Sequence, residues 1–170
     1  MPNFEFKPST NPAYSDDVRD RVENSFGIRF PKTYIDLMKR WNGGYLGDTF
    51  QIPVKEPPDS LHYHLGAGFF SISDIGGLTE DARSLGSILY TVTTARNWGV
   101  PKEVIPFSGD GHTWIAFDYR HLVNDEPTII FIETDKLWFR VLANSFQELL
   151  DSLLPHDQVF DEDGEIIYTR

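Results

Sequence analysis

The sequence predicts one α+β domain in which a mostly antiparallel β-sheet is flanked by helices. Three observations predict it: helical patterns lie near both ends of the chain, strand patterns cluster between them, and strand and helix do not alternate as a parallel sheet requires. A chain of 170 residues can bury one hydrophobic core but is short for two. We therefore expect an irregular lead-in over residues 1–14, a domain over 15–154, and a C-terminal hairpin or tail over 155–170 that packs on the domain.

Two helices are predicted in the first quarter of the chain. Ser15 suits an N-cap, two aspartates follow it at the positive end of the helix dipole, and Gly27 stops the pattern, so the first helix should span 16–26. Pro31 should open the second helix, in which apolar residues recur at intervals of three and four residues. The Asn-Gly-Gly segment at 42–44 should end this helix. An aromatic stripe at this spacing is typical of core packing rather than of a ligand site.

The middle of the chain is predicted to contain strands and one helix. Short apolar runs at 50–52, 62–65 and 69–72 alternate with Pro and Gly, a pattern typical of strands. Residues 88–98 are ambiguous, because apolar residues at helical spacing coexist with a run of β-favouring Tyr, Thr and Val. We favour a helix for this segment.

The second half of the chain is predicted to contain most of the sheet. The runs 104–108 and 113–119 flank a Gly-Asp-Gly turn and predict a β-hairpin. Two more strands are predicted at 128–133 and 138–142, and a last small hairpin at 159–168.

A closing helix precedes that last hairpin and has the clearest pattern in the chain. Asn144 is predicted to cap it, with Gln147 as the partner in a variant of the capping box. Its apolar residues share one face, which should be buried against the sheet: Phe146, Leu149, Leu150, Leu153 and Leu154.

Composition excludes several classes of function. The chain has no cysteine, which rules out disulfides, thiolate metal sites and cysteine nucleophiles. Its net charge of −11 repels a phosphate backbone, so a nucleic-acid ligand is disfavoured. The N-terminus has no basic segment before an apolar run, and no run of the chain is long enough to span a membrane. We therefore expect a cytoplasmic protein.

Four short blocks of residues stand in a distinctive order: Phe30-Pro31-Lys32-Thr33-Tyr34 with Trp41-Asn42-Gly43-Gly44; Ile105-Pro106-Phe107-Ser108-Gly109-Asp110-Gly111 before the strand 113–118; the apolar strand 129–132; and Leu142-Ala143-Asn144-Ser145-Phe146 running on to Leu150. In order and spacing they resemble the SUKH superfamily, which includes fungal regulators of cell-wall synthesis and many bacterial toxin-immunity proteins. The resemblance covers most of residues 15–154, and the chain departs from a minimal member at 53–68 and after Pro155.

The residues that carry this resemblance have folding roles, because glycines permit positive φ at turns and helix ends and an aromatic residue anchors a helix to a sheet. They are Pro31, Tyr34, Trp41, Asn42, Gly43, Gly44, Pro106, Gly109, Gly111, Ser145 and Phe146. The resemblance implies an α+β fold and a protein-binding function, with neither a catalytic site nor a cofactor. The leading hypothesis is an immunity protein that neutralises a cognate toxin by covering its surface. A regulatory interaction module like the fungal members is the alternative, and an unrecognised enzyme is a second alternative.

Candidate metal ligands are present but not fixed by their spacing. His62 and His64 would share one face of a strand, as a metal pair does, with His112, His121 or His156 as a third ligand. No carboxylate is fixed beside them in the sequence, and surface histidines are common. We expect no stoichiometric zinc at the His62/His64 pair.

Other chemical motifs are incomplete. The stretch 108–112 brings a Ser, an Asp and a His together, yet it lacks the nucleophile elbow, and neighbours in a tight turn do not supply the geometry of a catalytic triad. The acidic run 161–165 lacks the later ligands of a calcium loop, and 66–68 lacks the third glycine of a dinucleotide-binding turn.

The acidic charge is uneven and suggests a partner. Residues 61–170 carry 7 basic and 17 acidic side chains, whereas residues 1–60 carry 8 and 9. Acids gathered on one face would steer a basic partner, and nuclease toxins are basic because their substrate is a polyanion. We expect the partner-binding face to include Asp110, Asp118, Asp161, Glu162 and Asp163, with Trp114 as an exposed aromatic anchor.

Overall fold

A computed structural model describes residues 6–54, 56 and 68–169 of the chain. Within these residues it contains four helices: α1 Asp16–Phe26, α2 Lys32–Arg40, α3 Ile88–Asn97 and α4 Phe146–Ser152. The strands are β1 Gly44–Pro53, β2 Phe69–Ile75, β3 Val104–Asp110, β4 Thr113–Val123, β5 Glu126–Glu133, β6 Trp138–Ala143 and β7 Leu154–Pro155. The predicted α+β class is therefore confirmed.

The described strands form two antiparallel sheets rather than one. The three-stranded sheet has the order β2-β1-β7, and the four-stranded sheet has the order β3-β4-β5-β6. The sheets meet where β2 passes beside β3, and there the amide of Gly76 donates to the carbonyl of Phe107 at 2.7 Å.

The caps of α1 are those the sequence predicts, whereas α2 begins one residue later than predicted. Ser15 accepts a hydrogen bond from the amide of Val18, and Gly27 ends α1 at a φ of 69°. Pro31 lies in the N-cap position with a ψ of 142°, so Lys32 is the first helical residue of α2. Both boundaries place the apolar faces of the helices toward the core.

The Asn-Gly-Gly segment after α2 sends the chain directly into a long first strand. Gly43 has a φ of 76°, and a Cβ added there would lie 2.3 Å from the backbone nitrogen of Gly77. The side chain of Asn42 donates to the carbonyls of Pro12 and Leu78, at 2.8 Å each. The segment therefore fixes the helix end against two other parts of the chain, in addition to supplying the turn.

The prediction for the cap of α4 is wrong by one residue. The side chain of Ser145, not Asn144, accepts a hydrogen bond from the amide of Glu148 at 3.1 Å. The carboxylate of Glu148 accepts in return from the amide of Asn144 at 2.8 Å. The capping box is thus Ser145 with Glu148, and Gln147 has no part in it.

The apolar face of α4 is buried as predicted, although the helix is shorter than its pattern. Phe146, Leu149, Leu150 and Leu153 are buried. The helix ends at Ser152, and Leu154 is only partly buried because it belongs to β7, where it pairs with Gln51 of β1. This pairing with the strand edge satisfies backbone hydrogen-bonding groups at the end of β1. Those groups would lack partners if the helix continued for a further turn.

The remaining predictions differ mainly in length. The ambiguous segment 88–98 is the helix α3, and the predicted hairpin is β3–β4, although β4 runs on to Val123. The tail contains a 3-10 turn, His156–Gln158, and a bridge between Phe160 and Ile166. The predicted strand 62–65, with His62 and His64, and residues 66–67 of the Gly-Ala-Gly segment lie outside the described residues.

The core lies on both faces of the four-stranded sheet. On the inner face the rings of Tyr34, Phe107, Phe117 and Phe146 have centroids 4.7 to 5.5 Å apart, and α2 and α4 cover them. On the outer face α3 packs over Trp114 and the apolar residues of β5. The sheet is therefore held rigidly at the end where β2 approaches it.

Candidate partner-binding cleft

A cleft of about 430 Å³ opens between β2, the β3–β4 hairpin and α3. β2 contributes one wall: its Ile72 and Ile75 are buried, whereas its Ser71, Ser73 and Asp74 line the cleft. Ser108, Asp110 and Thr113 of the hairpin form the second wall, and Tyr90, Thr91 and Thr94 of α3 form the third. Most of the side chains that line the cleft are polar, and several carry hydroxyl groups.

Asp74 lies at the base of this cleft. One of its carboxylate oxygens accepts a hydrogen bond from the hydroxyl of Ser108 at 3.0 Å. No lysine or arginine of the described residues pairs with this carboxylate. Burial raises the pKa of Asp74; the Ser108 hydrogen bond opposes this shift and the nearby charge of Asp110 adds to it.

Gly109 allows the hairpin to form this wall. Its φ is 110°, and a Cβ added there would lie 2.3 Å from the carbonyl oxygen of Thr113 on the opposite strand. The register of the hairpin also shifts between Pro106 and Ser108, which is the signature of a β-bulge. The family-motif residues of this block therefore shape the cleft as well as the turn.

A second, adjoining cavity of about 330 Å³ widens the opening on the side of the lead-in segment. Tyr45, Asp74 and Leu85 line both cavities. The side chains of Tyr45 and Leu85 are 62% and 68% exposed, so two large apolar groups stand at the rim around a partly buried carboxylate. Large exposed apolar groups around a polar centre are typical of interaction surfaces.

The structure brings two of the predicted partner-binding residues to this cleft, but one of them is not exposed. Asp110 is exposed at the mouth. Trp114 is only 1% exposed, because its ring packs beneath α3 and its indole nitrogen donates to the carbonyl of Gly111. The prediction of Trp114 as an exposed anchor is wrong.

Asp118 is also not a surface acid. It is 1% exposed, and its two carboxylate oxygens accept from the guanidinium of Arg120 at 2.7 and 2.8 Å. Its charge is therefore neutralised within the domain. Asp161, Glu162 and Asp163 are exposed as expected, but they lie in the C-terminal turn and are absent from the lining of the cleft.

Sequence reasoning missed Asp74, which lines the cleft, and Tyr45 and Leu85, which lie at its rim. The available signal was the Ile-Ser-Asp-Ile pattern of β2, in which polar residues interrupt a buried strand. The Ser, Asp and His of the hairpin do not come together as a triad: Ser108 donates to Asp74, and the Nδ1 atom of His112 lies 2.8 Å from Asp135. The arrangement offers acceptor oxygens to a cation or to hydrogen-bond donors.

Comparison with known proteins identifies a family whose model matches this chain. The family model described as SMI1 / KNR4 family (SUKH-1) matches residues 13–152, which include every wall of the cleft. No curated protein matches the chain. Among the described residues, no helix is both long and apolar enough to cross a membrane.

Proposed function

The chain belongs to the SMI1/KNR4 family (SUKH-1), and from this premise we propose that it is a cytoplasmic immunity protein that neutralises a cognate toxin by direct binding. The observation that carries the proposal is the carboxylate of Asp74, which lies in an open cleft and has no cationic partner among the described residues. A mostly buried carboxylate without a cation costs free energy in the isolated domain. A partner that supplies the cation relieves that cost.

The chemistry of the cleft favours a lysine or arginine side chain from the partner. A cation about 4 Å from a carboxylate gains roughly 1 kcal/mol in water but roughly 4 kcal/mol at the effective dielectric of a protein surface. Its aliphatic stem would lie against Tyr45 and Leu85 at the rim, as the stems of long basic side chains do on apolar surfaces. Asp110 at the mouth would add a second acceptor.

The net charge of −11 supports the same kind of partner over a longer range. Acids of the C-terminal turn, Asp161, Glu162 and Asp163, would raise the rate of encounter with a basic surface without forming the final contact. A nuclease toxin has such a surface, because it must bind a polyanion. The two sets of acids would thus have different tasks, one in steering and one in anchoring.

The test first asks whether a toxin domain is encoded beside the gene of this chain, and then uses that domain as the partner. We expect co-expression to rescue growth and the purified pair to bind one to one, with Asp74→Asn weakening binding by at least tenfold, roughly the value of one lost charged contact. Asp48→Asn, which removes an exposed acid remote from the cleft lining, is the matched control. An affinity of Asp74→Asn equal to that of the unaltered chain would refute the cleft as the binding site.

A chain that neither binds nor protects against that toxin would refute the immunity role itself. If it instead copurifies stoichiometrically with a cellular protein, and Asp74→Asn disrupts that complex, a regulatory interaction module is the correct function. The cleft would then still be the binding site, but its partner would be a cellular protein rather than a toxin.

A further inference from the structure

A second group of polar side chains lies at the same end of the four-stranded sheet, where two turns meet. His112 belongs to the β3–β4 turn, Glu133 ends β5, and Asp135 lies in the β5–β6 turn. Each offers one ligand atom, and these three atoms all lie within 4.8 Å of one another. We propose that His112, Glu133 and Asp135 form a binding site for a divalent transition-metal ion of the zinc class.

The site is held together before any ion arrives. The amide of Thr134 donates to the carbonyl of His112 at 2.8 Å, which ties one turn to the other. The ring of Trp98, at the end of α3, packs against the imidazole of His112 with a centroid distance of 4.5 Å. Ligands that are already ordered lose little conformational entropy on binding, which favours affinity.

Glu133 makes the site more than a surface ion pair between His112 and Asp135. It is 1% exposed, and its two oxygens accept from the amides of Asp135 and Lys136 at 3.0 and 3.1 Å. No lysine or arginine among the described residues forms an ion pair with it, and two backbone amides stabilise its charge. Each oxygen retains a lone pair for a further partner, and a cation is the strongest partner available.

The donor set selects the class of ion. One imidazole nitrogen and two carboxylate oxygens suit zinc and its first-row neighbours, whereas magnesium and calcium prefer all-oxygen sites. Tetrahedral zinc with bonds of about 2.0 Å brings ligand atoms to roughly 3.3 Å from one another. The exposed Asp135 and the half-buried His112 can close that gap by small rotations, and the bound ion would replace the hydrogen bond between them.

The experiment titrates ZnCl₂ into the metal-free full chain by isothermal calorimetry. We expect saturable uptake of one ion per chain, weakened by at least about tenfold in His112→Ala, since loss of even an outer partner of a ligand costs that much. The matched control is His121→Ala, which removes an exposed histidine outside the cluster and should leave the affinity unchanged. A double variant, His62→Ala with His64→Ala, should also bind normally.

Trp98 supplies a second readout that does not require a variant of the site. Cobalt or nickel bound at His112 should quench tryptophan fluorescence, and Trp98→Phe should reduce that quenching while it retains zinc binding. No saturable zinc uptake by the unaltered chain would overturn the proposal. Uptake that is equal in His112→Ala and His121→Ala, or that disappears in the His62/His64 double variant, would overturn it equally.

Discussion

The two faces of the β3–β4 hairpin differ in polarity and in their effect on stability. Toward α2 and α4 the hairpin presents Phe107 and Phe117, which are buried among aromatic rings. Toward the cleft it presents Ser108 and Asp110, beside the carboxylate of Asp74, which no lysine or arginine of the described residues pairs with. The apolar face holds the strands in place, and the polar face keeps a charge in an energetically unfavourable position. Such local conflict between stability and charge is the usual mark of a functional site.

The largest effect is expected on the apolar face. Phe146→Ala should lower the free energy of unfolding by about 3–5 kcal/mol, since it removes a fully buried ring from the aromatic cluster and leaves a cavity. Urea denaturation measures the change. Gln147→Ala, one residue away and outside the capping box, is the control and should stay within about 0.5 kcal/mol. An unchanged unfolding midpoint in Phe146→Ala would contradict the assignment of this face.

A smaller loss of stability is expected for the acid that has a partner. Asp118→Asn places an amide NH₂ or a neutral oxygen against the guanidinium of Arg120, so at least one of two charged hydrogen bonds is lost. The cost should be about 2 kcal/mol, as for hydrogen bonds to charged groups. Calorimetric unfolding at neutral pH tests this value. If Asp118→Asn unfolds at the same temperature as the unaltered chain, the pair with Arg120 contributes nothing to stability.

The same substitution at Asp74, which has no cationic partner among the described residues, should change stability in the opposite direction. The folded-state pKa of Asp74 is raised above its ordinary value of 3.8, so ionisation at neutral pH destabilises the fold. Asp74→Asn removes that penalty and can still accept the hydrogen bond from Ser108, so it should raise the melting temperature at pH 7. Partner binding should weaken in the same variant.

The pH dependence of that gain has a definite direction. Well below pH 3.8 the carboxyl of Asp74 is protonated in both folded and unfolded chains, so variant and parent should melt alike. As the pH rises through the raised folded-state pKa, the parent loses stability relative to Asp74→Asn. A difference in melting temperature that shrinks as the pH rises would rule out the desolvated charge.

The fold could be predicted from the sequence because its signals are local. Ser15 and Gly27 bound α1, and the apolar face of α4 shows its period within nine residues. The prediction for the N-cap of α4 was wrong because Asn and Ser are both good N-caps. Only the glutamate three residues after Ser145 distinguishes the two residues. That signal was present and was assigned to the wrong residue.

The site could not be predicted in the same way, because its parts are distant in sequence. Asp74, Tyr90 and Ser108 come from three elements, and no local spacing links them. Trp114 and Asp118 were placed on the correct strand, yet their burial depends on α3 covering the outer face of the sheet and on Arg120 folding back. Neither event has a signature in the hairpin itself.

The smallest effect is expected for the exposed acids of the C-terminal turn, where only the rate of association should change. Reversing Asp161, Glu162 and Asp163 to lysine should slow association with a basic partner, and the rate for the parent should fall steeply as salt rises. Asp161 also accepts from the amides of Asp163 and Glu165, so its loss disturbs the turn. The double variant Glu162→Lys with Asp163→Lys therefore changes the charge of the turn without removing the acceptor Asp161. Stopped-flow binding measures its association rate.

The control for this reversal makes the same change of charge in the nearly neutral first part of the chain, with Asp36→Lys and Asp48→Lys. If steering comes from a directed field, the tail pair should slow association more than the control pair, and both should dissociate at the parental rate because neither touches the cleft. Asp74→Asn should do the reverse, with faster dissociation and nearly unchanged association. Equal slowing by the two lysine pairs would mean that net charge alone attracts the partner and that the tail has no special place in the encounter.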